Sequence, residues 1–329
     1  MIAPPGAFRV VEPADVDAAT AVHESEPGSR YLGGGTDLLV NLRRGLGTPS
    51  LLIDLRGIAE LDGLACEAGG ARIGAGVTLA RIAADPEFRA RYPALCEAAG
   101  AVAGPAHRNV ATVAGNLCLD TRCIYYNQSE WWRGANAYCL KYRGDVCHVA
   151  PQGQHCHAAF CGDLAPALLV LGTSIEVAGR EGRRRMPLAE LYREDGLAHL
   201  TLAAGELIVA VELPADPPPS AYAKLRVRGS VDFPLAGVAV ALRAEEGRLA
   251  ALRVALTGTN SRPFLLDGTG DLLGRPLDAG ALQQLDRLVQ KQVQPMRTTL
   301  LQSNYRRVAV AALTRRLAAR LATTQQIAR

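Results

Sequence analysis

Tyr31-Leu32-Gly33-Gly34-Gly35-Thr36-Asp37, running on into Leu38-Leu39-Val40-Asn41-Leu42, carries more structural information than any other stretch of this chain. A short apolar strand enters three consecutive glycines and leaves in a helical pattern. Glycine lets the backbone approach a neighbour that a β-carbon would repel, and the unpaired N–H groups at a helix start attract negative charge. Phosphate is the usual guest of such a turn. An apolar start at Phe8 to Val11, a helix opened by Pro13 and a second strand at Leu51 to Leu55 complete a small α/β unit around it.

A second glycine element, Ala111-Thr112-Val113-Ala114-Gly115-Asn116, lies further along. Alone it reads equally well as an ordinary tight turn. Paired with the first, it offers the two close backbone surfaces that a dinucleotide pyrophosphate needs. The Rossmann fingerprint does not fit, because Gly33-Gly34-Gly35 lacks the G-x-G-x-x-G spacing and its acidic partner.

With 329 residues, 49% of them hydrophobic, the chain can fill the cores of two or three domains. A net charge of +4 with interleaved signs gives no reason to invoke nucleic acid or an anionic membrane. Met1 to Pro13 lacks the basic start and apolar core of a leader, and no apolar run is long enough to span a bilayer, so a cytoplasmic location is expected. From Ile58 onward, strands are expected at Ala71 to Ile73 and Ser174 to Ala178. Thr78 reads as a helix cap, and Asp163 to Leu171 as a helix stopped by Gly172. Arg183-Arg184-Arg185, between Gly182 and Pro187, reads as a solvated turn. Pro214-Ala215-Asp216-Pro217-Pro218-Pro219 is a stiff linker. Three strands follow at Tyr222 to Val227, Leu235 to Leu242 and Leu249 to Leu256. The closing helix sets Val310, Leu313, Leu317 and Leu321 on one face and arginines opposite. No internal repeat is visible.

Six of the eight cysteines, both tryptophans and three of the six histidines fall between Cys118 and Cys161. In a reducing cytosol such clustering points to metal or redox chemistry rather than to disulfides. Thiolate is the soft ligand that iron–sulfur clusters and zinc require. Cys123, Cys139, Cys147 and Cys156 are the candidate ligands, in a C-x15-C-x7-C-x8-C spacing that is not a ferredoxin pattern. Cys118 and Cys161 read as the stem of the loop, Cys66 and Cys96 as small core side chains. Zinc is the rival metal, since Cys147-His148 and His155-Cys156-His157 also supply imidazoles. Tyr125, Tyr126, Trp131, Trp132, Tyr138 and Tyr142 are expected to form the loop's own small core or a docking face.

The triple-glycine turn with Thr36-Asp37, the Thr112 to Asn116 element, Asp163-Leu164-Ala165-Pro166, and Lys224 followed by Asp232-Phe233-Pro234-Leu235-Ala236 together resemble the FAD-binding medium subunit of the xanthine oxidase and carbon monoxide dehydrogenase family. The resemblance covers almost the whole chain, in order. It implies an α+β, vanillyl-alcohol-oxidase-type (PCMH-type) FAD-binding fold: an N-terminal lobe over 1–57, a middle lobe over 58–216 with an iron–sulfur loop inserted at 118–161, and a C-terminal three-stranded-sheet-and-helix domain over 217–329. It further implies that Tyr31, Leu32, Gly33, Gly34, Gly35, Thr36 and Asp37 line the FAD pyrophosphate. Thr112, Gly115 and Asn116 would hold the other side, Asp163 the ribityl chain, and Lys224 the flavin ring. Ala114 stands where the family often has glycine.

The inserted loop is similar to the one that holds a 4Fe-4S cluster in the FAD subunit of 4-hydroxybenzoyl-CoA reductase. That resemblance implies no catalytic residue in this chain. Electrons would pass from reduced ferredoxin through the 4Fe-4S cluster and FAD to a small 2Fe-2S subunit and a molybdenum cofactor-containing catalytic subunit, in a dimer of heterotrimers. Substrate dehydroxylation to benzoyl-CoA would occur on that partner. Two alternatives stand beside it: the FAD subunit of an oxidising aromatic or N-heterocycle molybdenum hydroxylase with an extra cluster, and a stand-alone flavin- or zinc-binding regulator.

Overall fold

The computed structural model describes residues 8–297 and 301–327; the opening residues 1–7 lie outside them. The first unit runs β1 (Arg9–Val11), α1 (Val16–Ser25), β2 (Arg30–Leu32), α2 (Leu38–Arg43) and β3 (Leu51–Asp54). Its three strands are parallel in the order β1-β3-β2, and all four residues of β3 are buried. Asp15 rather than Pro13 starts α1, its carboxylate accepting from the Ala18 N–H at 2.7 Å.

The middle of the chain contains β4 (Leu64–Glu67), β5 (Gly70–Gly74), α3 (Leu79–Ala84), α4 (Pro86–Arg91), α5 (Pro93–Ala101), α6 (Pro105–Arg108), α7 (Val113–Leu117), α8 (Glu130–Ala135), α9 (Leu164–Leu171), β6 (Ser174–Gly179), β7 (Gly182–Pro187) and β8 (Leu207–Pro214). Thr78 caps α3, and Gly172 ends α9 at φ 72°, the left-handed conformation that a β-carbon disfavours. The strands form an antiparallel sheet in the order β4-β5-β8-β6-β7. Arg183-Arg184-Arg185 is therefore not a turn; it is the body of the edge strand β7. The arginines pair with Glu60 and Glu176, with Glu206, and with Glu212, at 2.8 to 3.2 Å. Carboxylates supplied by neighbouring elements, invisible to local composition, turn a charge run into a strand. Charges on an edge also discourage pairing with another sheet.

After the proline segment come β9 (Ser220–Leu225), β10 (Ala236–Glu245), β11 (Arg248–Thr257), β12 (Phe264–Leu265), α10 (Ala279–Gln292) and α11 (Ser303–Ile327). The sheet has four strands, β12-β11-β10-β9, because two residues at Phe264 pair with the outer side of β11. Strand alternation sends Val238, Val240, Leu242, Val254 and Leu256 into a core shared with α10 and α11, where Leu285, Val310, Leu313, Leu317 and Leu321 meet them. Ala239, Ala241 and Ala255 point the other way, into the core of the middle region. Their small side chains let α9, every residue of which is buried, lie close against the sheet. Among the described residues, no helix is long and apolar enough to cross a membrane.

Ala239→Leu should overpack the α9 contact and lower stability by about 1–3 kcal/mol, read as a lower urea midpoint at unchanged slope.

Candidate functional site

The two glycine elements meet backbone to backbone. A β-carbon at Gly34 would lie 1.7 Å from the Val110 carbonyl oxygen, and one at Gly33 would lie 2.9 Å from the Thr112 hydroxyl oxygen. Gly35 adds a φ of +71°, a conformation disfavoured for residues with a side chain. The Thr112 hydroxyl in turn accepts the Gly115 N–H at 3.1 Å and caps α7.

Beside this contact lies a cavity of about 1380 Å³. Tyr31, Gly33, Gly34, Gly35, Thr36, Asp37, Thr112, Gly115, Asn116 and Asp163 all line it. Its size and its side-chain-free glycine wall suit a dinucleotide drawn close to the backbone. Leu32 and Lys224 are not among the lining residues. Leu32 alternates inward to pack with Leu42 and Leu52, and the Lys224 ammonium lies behind the wall, 3.1 Å from Asp163 Oδ2 and 3.1 Å from the Ala101 carbonyl.

Asp163 is fully enclosed. Burial pushes its carboxyl above the usual range, opposed by Lys224 and by the Tyr222 hydroxyl that donates to Oδ1 at 2.6 Å. Asn116 Oδ1 accepts the Leu164 N–H at 3.0 Å, so the last residue of the second glycine element also caps α9. Tyr31 donates to the Gly205 carbonyl at 2.7 Å and stacks on His23.

Asp37, while lining the cavity, is also engaged by the inserted loop. Its carboxylate takes the Arg122 guanidinium, the Asn41 amide at 3.2 Å and the Asp120 N–H at 3.1 Å. Arg122 pairs with Ala159 across a short antiparallel bridge, closing the stem of the loop, and lies 4.6 Å from the Phe233 ring centroid. Further out, the buried Arg133 donates to the Arg44 and Gly45 carbonyls at 3.0 and 3.3 Å, docking the loop on the end of α2.

Inside the loop, Cys123, Cys139, Cys147 and Cys156 line one small void of about 10 Å³, room for roughly one water. Its other walls include Tyr125, Tyr126, Lys141 and His148. Burial pushes the Cys123 thiol up to about 11 and Cys156 up to about 12. Among the described residues, no three His, Cys, Asp or Glu side chains converge tightly enough to hold a single metal ion. His148 is turned to the Tyr138 carbonyl, and His155 is exposed. Trp131 is 80% exposed and so contributes no core to the loop, whereas Trp132 meets Tyr125 at 6.0 Å. Cys118 and Cys161 stay with the large cavity, which they line.

Sequence reasoning gave no cavity role to Arg122, Lys141 and His199, nor to Tyr126, which it read as part of the loop's own core or a docking face; all four are in the large cavity's wall. Nothing in their spacing marks them; they reach it through the fold of the insertion and a distant loop. His199 is buried and donates from Nε2 to the Leu119 carbonyl at 3.0 Å. Burial, then the nearby Lys141 charge, lowers its pKa to about 4.

Gly34→Ala should abolish flavin retention and destabilise the chain, whereas Gly57→Ala, with nothing within 4 Å, should leave flavin content unchanged; absorbance of the purified proteins decides. His199 predicts a pH dependence. The unfolded chain binds a proton there near 6.5 and the folded chain only near 4, so stability is full above that window and falls as pH drops through it. His199→Gln should flatten the corresponding loss of melting temperature.

The family model for the FAD binding domain in molybdopterin dehydrogenase matches residues 6–216, and that for the CO dehydrogenase flavoprotein C-terminal domain matches 220–321. The chain is 35% identical to the aldehyde oxidoreductase FAD-binding subunit of Escherichia coli, over 77% of this chain and 81% of that one. It is 25% identical to the carbon monoxide dehydrogenase medium chain of Afipia carboxidovorans, over 85% and 84%. A chain in the crystal structure of the Cu,Mo-CO dehydrogenase superposes with a TM-score of 0.79 at 25% identity, covering 98% of this chain and 99% of that one. The protein therefore belongs to the molybdopterin dehydrogenase FAD-binding family, as an FAD-binding medium subunit of the xanthine oxidase and carbon monoxide dehydrogenase type.

Proposed function

We propose that this chain is the flavin-bearing electron relay of an oxidising molybdenum hydroxylase, with aldehydes the first substrate class to test and aromatic N-heterocycles the second. The observation that carries this reading is the 35% identity to an aldehyde oxidoreductase FAD-binding subunit. Substrate chemistry would lie on a molybdenum cofactor-containing subunit, reached through a small 2Fe-2S subunit. Bound FAD would supply a carrier of one or two electrons, and a 4Fe-4S centre a carrier of one.

Within this chain, the glycine backbone at 33–35 with Thr112, Gly115 and Asn116 would hold the pyrophosphate. Asp163, fixed by Tyr222 and Lys224, would accept from the ribityl hydroxyls. Lys224 would thus act on the cofactor through Asp163. Cys123, Cys139, Cys147 and Cys156 would ligate the cluster. Four thiols lining one void supply the soft donor set that iron–sulfur clusters take, with more sulfur than imidazole among the residues around it. Filling the void requires the loop segments to move outward, so loading and ordering of the loop are coupled.

The cysteine loop also supports a second reading, the ferredoxin-driven 4-hydroxybenzoyl-CoA reductase. Direction separates the two. In the anaerobically purified complex, an aldehyde should bleach the flavin within a single turnover. Bleaching by reduced ferredoxin, with none by aldehydes or N-heterocycles, would replace the oxidase reading with the reductase. A protein that purifies alone with zinc would return the regulator. Cys139→Ser should lose iron and acid-labile sulfide yet keep FAD, because Cys139 lines the small void and not the large cavity. Flavin loss with iron retained would reverse the assignment.

A further inference from the structure

Among the described residues, Tyr126 and Lys141 alone line both the large cavity and the cysteine void. They are the wall between the two. The Lys141 side chain is 5% exposed, and its ammonium lies 2.6 Å from Asp120 Oδ1, contacts the Thr121 hydroxyl, and sits 4.3 Å from the Tyr126 ring centroid. Asp120 lines the large cavity only. With Lys141 buried in the shared wall and Asp120 half-buried on the large-cavity side only, the pair is a dipole whose negative end lies away from the cysteine void. Enclosed charges act on their neighbours through a low dielectric, far more strongly than surface charges do.

We infer that Lys141 sets the direction of electron flow between the two sites by raising the one-electron potential of the centre held by the four cysteines relative to the flavin. This rests on the cysteine-held cluster proposed above. An electron arriving at such a centre adds one negative charge beside the ammonium, which stabilises the reduced form. The Asp120 carboxylate lies on the large-cavity side, where it would disfavour added negative charge on a flavin bound there. One flavin electron is given up for each one the centre gains; no bond forms or breaks, and a one-electron acceptor such as a ferredoxin restores the centre. Lys141 is in this sense a positioning residue: it need not touch substrate. Its face-on contact with Tyr126 puts an aromatic ring in the same wall.

The test is an EPR-monitored anaerobic redox titration of the full complex, with iron, sulfide and flavin measured on each sample. Lys141→Met should keep both cofactors and lower the potential of the centre, changing its reduced-to-oxidised ratio at a fixed solution potential about tenfold, or about 59 mV for a one-electron couple. Asp120→Asn should shift it the opposite way. A fully loaded Lys141→Met centre at the wild-type potential overturns the inference and leaves the cluster reading standing. If Lys141→Met fails to assemble, Asp120→Asn decides: an upward shift supports the dipole, and no shift or a downward one overturns it. Wild-type complex carrying flavin but no iron or sulfide removes the cluster and this inference together.

Discussion

The Val110 carbonyl oxygen packs against Gly34 at a distance where no β-carbon could stand, and the arrangement of the whole N-terminal half follows from that approach. It fixes the first glycine turn against the second, so the parallel three-stranded unit and the antiparallel five-stranded sheet face one another across a single cavity. It also spends the side chain of Thr112 on capping α7 and that of Asn116 on capping α9. What is left facing the cavity there is largely backbone and small side chains, the surface a dinucleotide requires.

A relay of charge extends from this contact into the inserted loop. Asp37 takes Arg122 and the Asp120 amide, Asp120 takes Lys141, and Lys141 reaches the wall of the cysteine void. Each of these links is at least half-buried on one side, where an unpaired partner would be costly to leave. The insertion is consequently tied to the flavin half by ion pairs as well as by its covalent ends, and the two cavities are held in one fixed relation.

Much of this was legible in the sequence because it is local. Glycine runs, a capping Thr78, a helix stopped at Gly172 and a proline-rich break each act within a few residues. The C-terminal helix face was equally plain from its period. The residues that escaped act over long separations. Arg183 to Arg185 become a strand through glutamates from four other segments, and β12 is two residues long, too short for any pattern. Asp37 reads as part of the glycine turn, and only the fold shows that Arg122, far along the chain, pairs with it. Lys224 reads from the resemblance as a neighbour of the flavin ring, and its contact with Asp163 is visible only in three dimensions. Lys141 looks like one lysine among aromatic neighbours; its meaning lies in two cavities that no spacing reveals.

Helix α9 is buried on every side, between the middle region's core and the C-terminal sheet. During synthesis it leaves the ribosome well before β10 and β11 exist to cover it. Until those strands arrive, the side of α9 that the alanine face of the sheet later covers has no partner within the chain, an apolar surface of the kind that makes folding intermediates prone to aggregate. Separating the C-terminal sheet from the flavin region would therefore yield a sticky fragment, and truncations in this chain should be judged by where they leave that one helix.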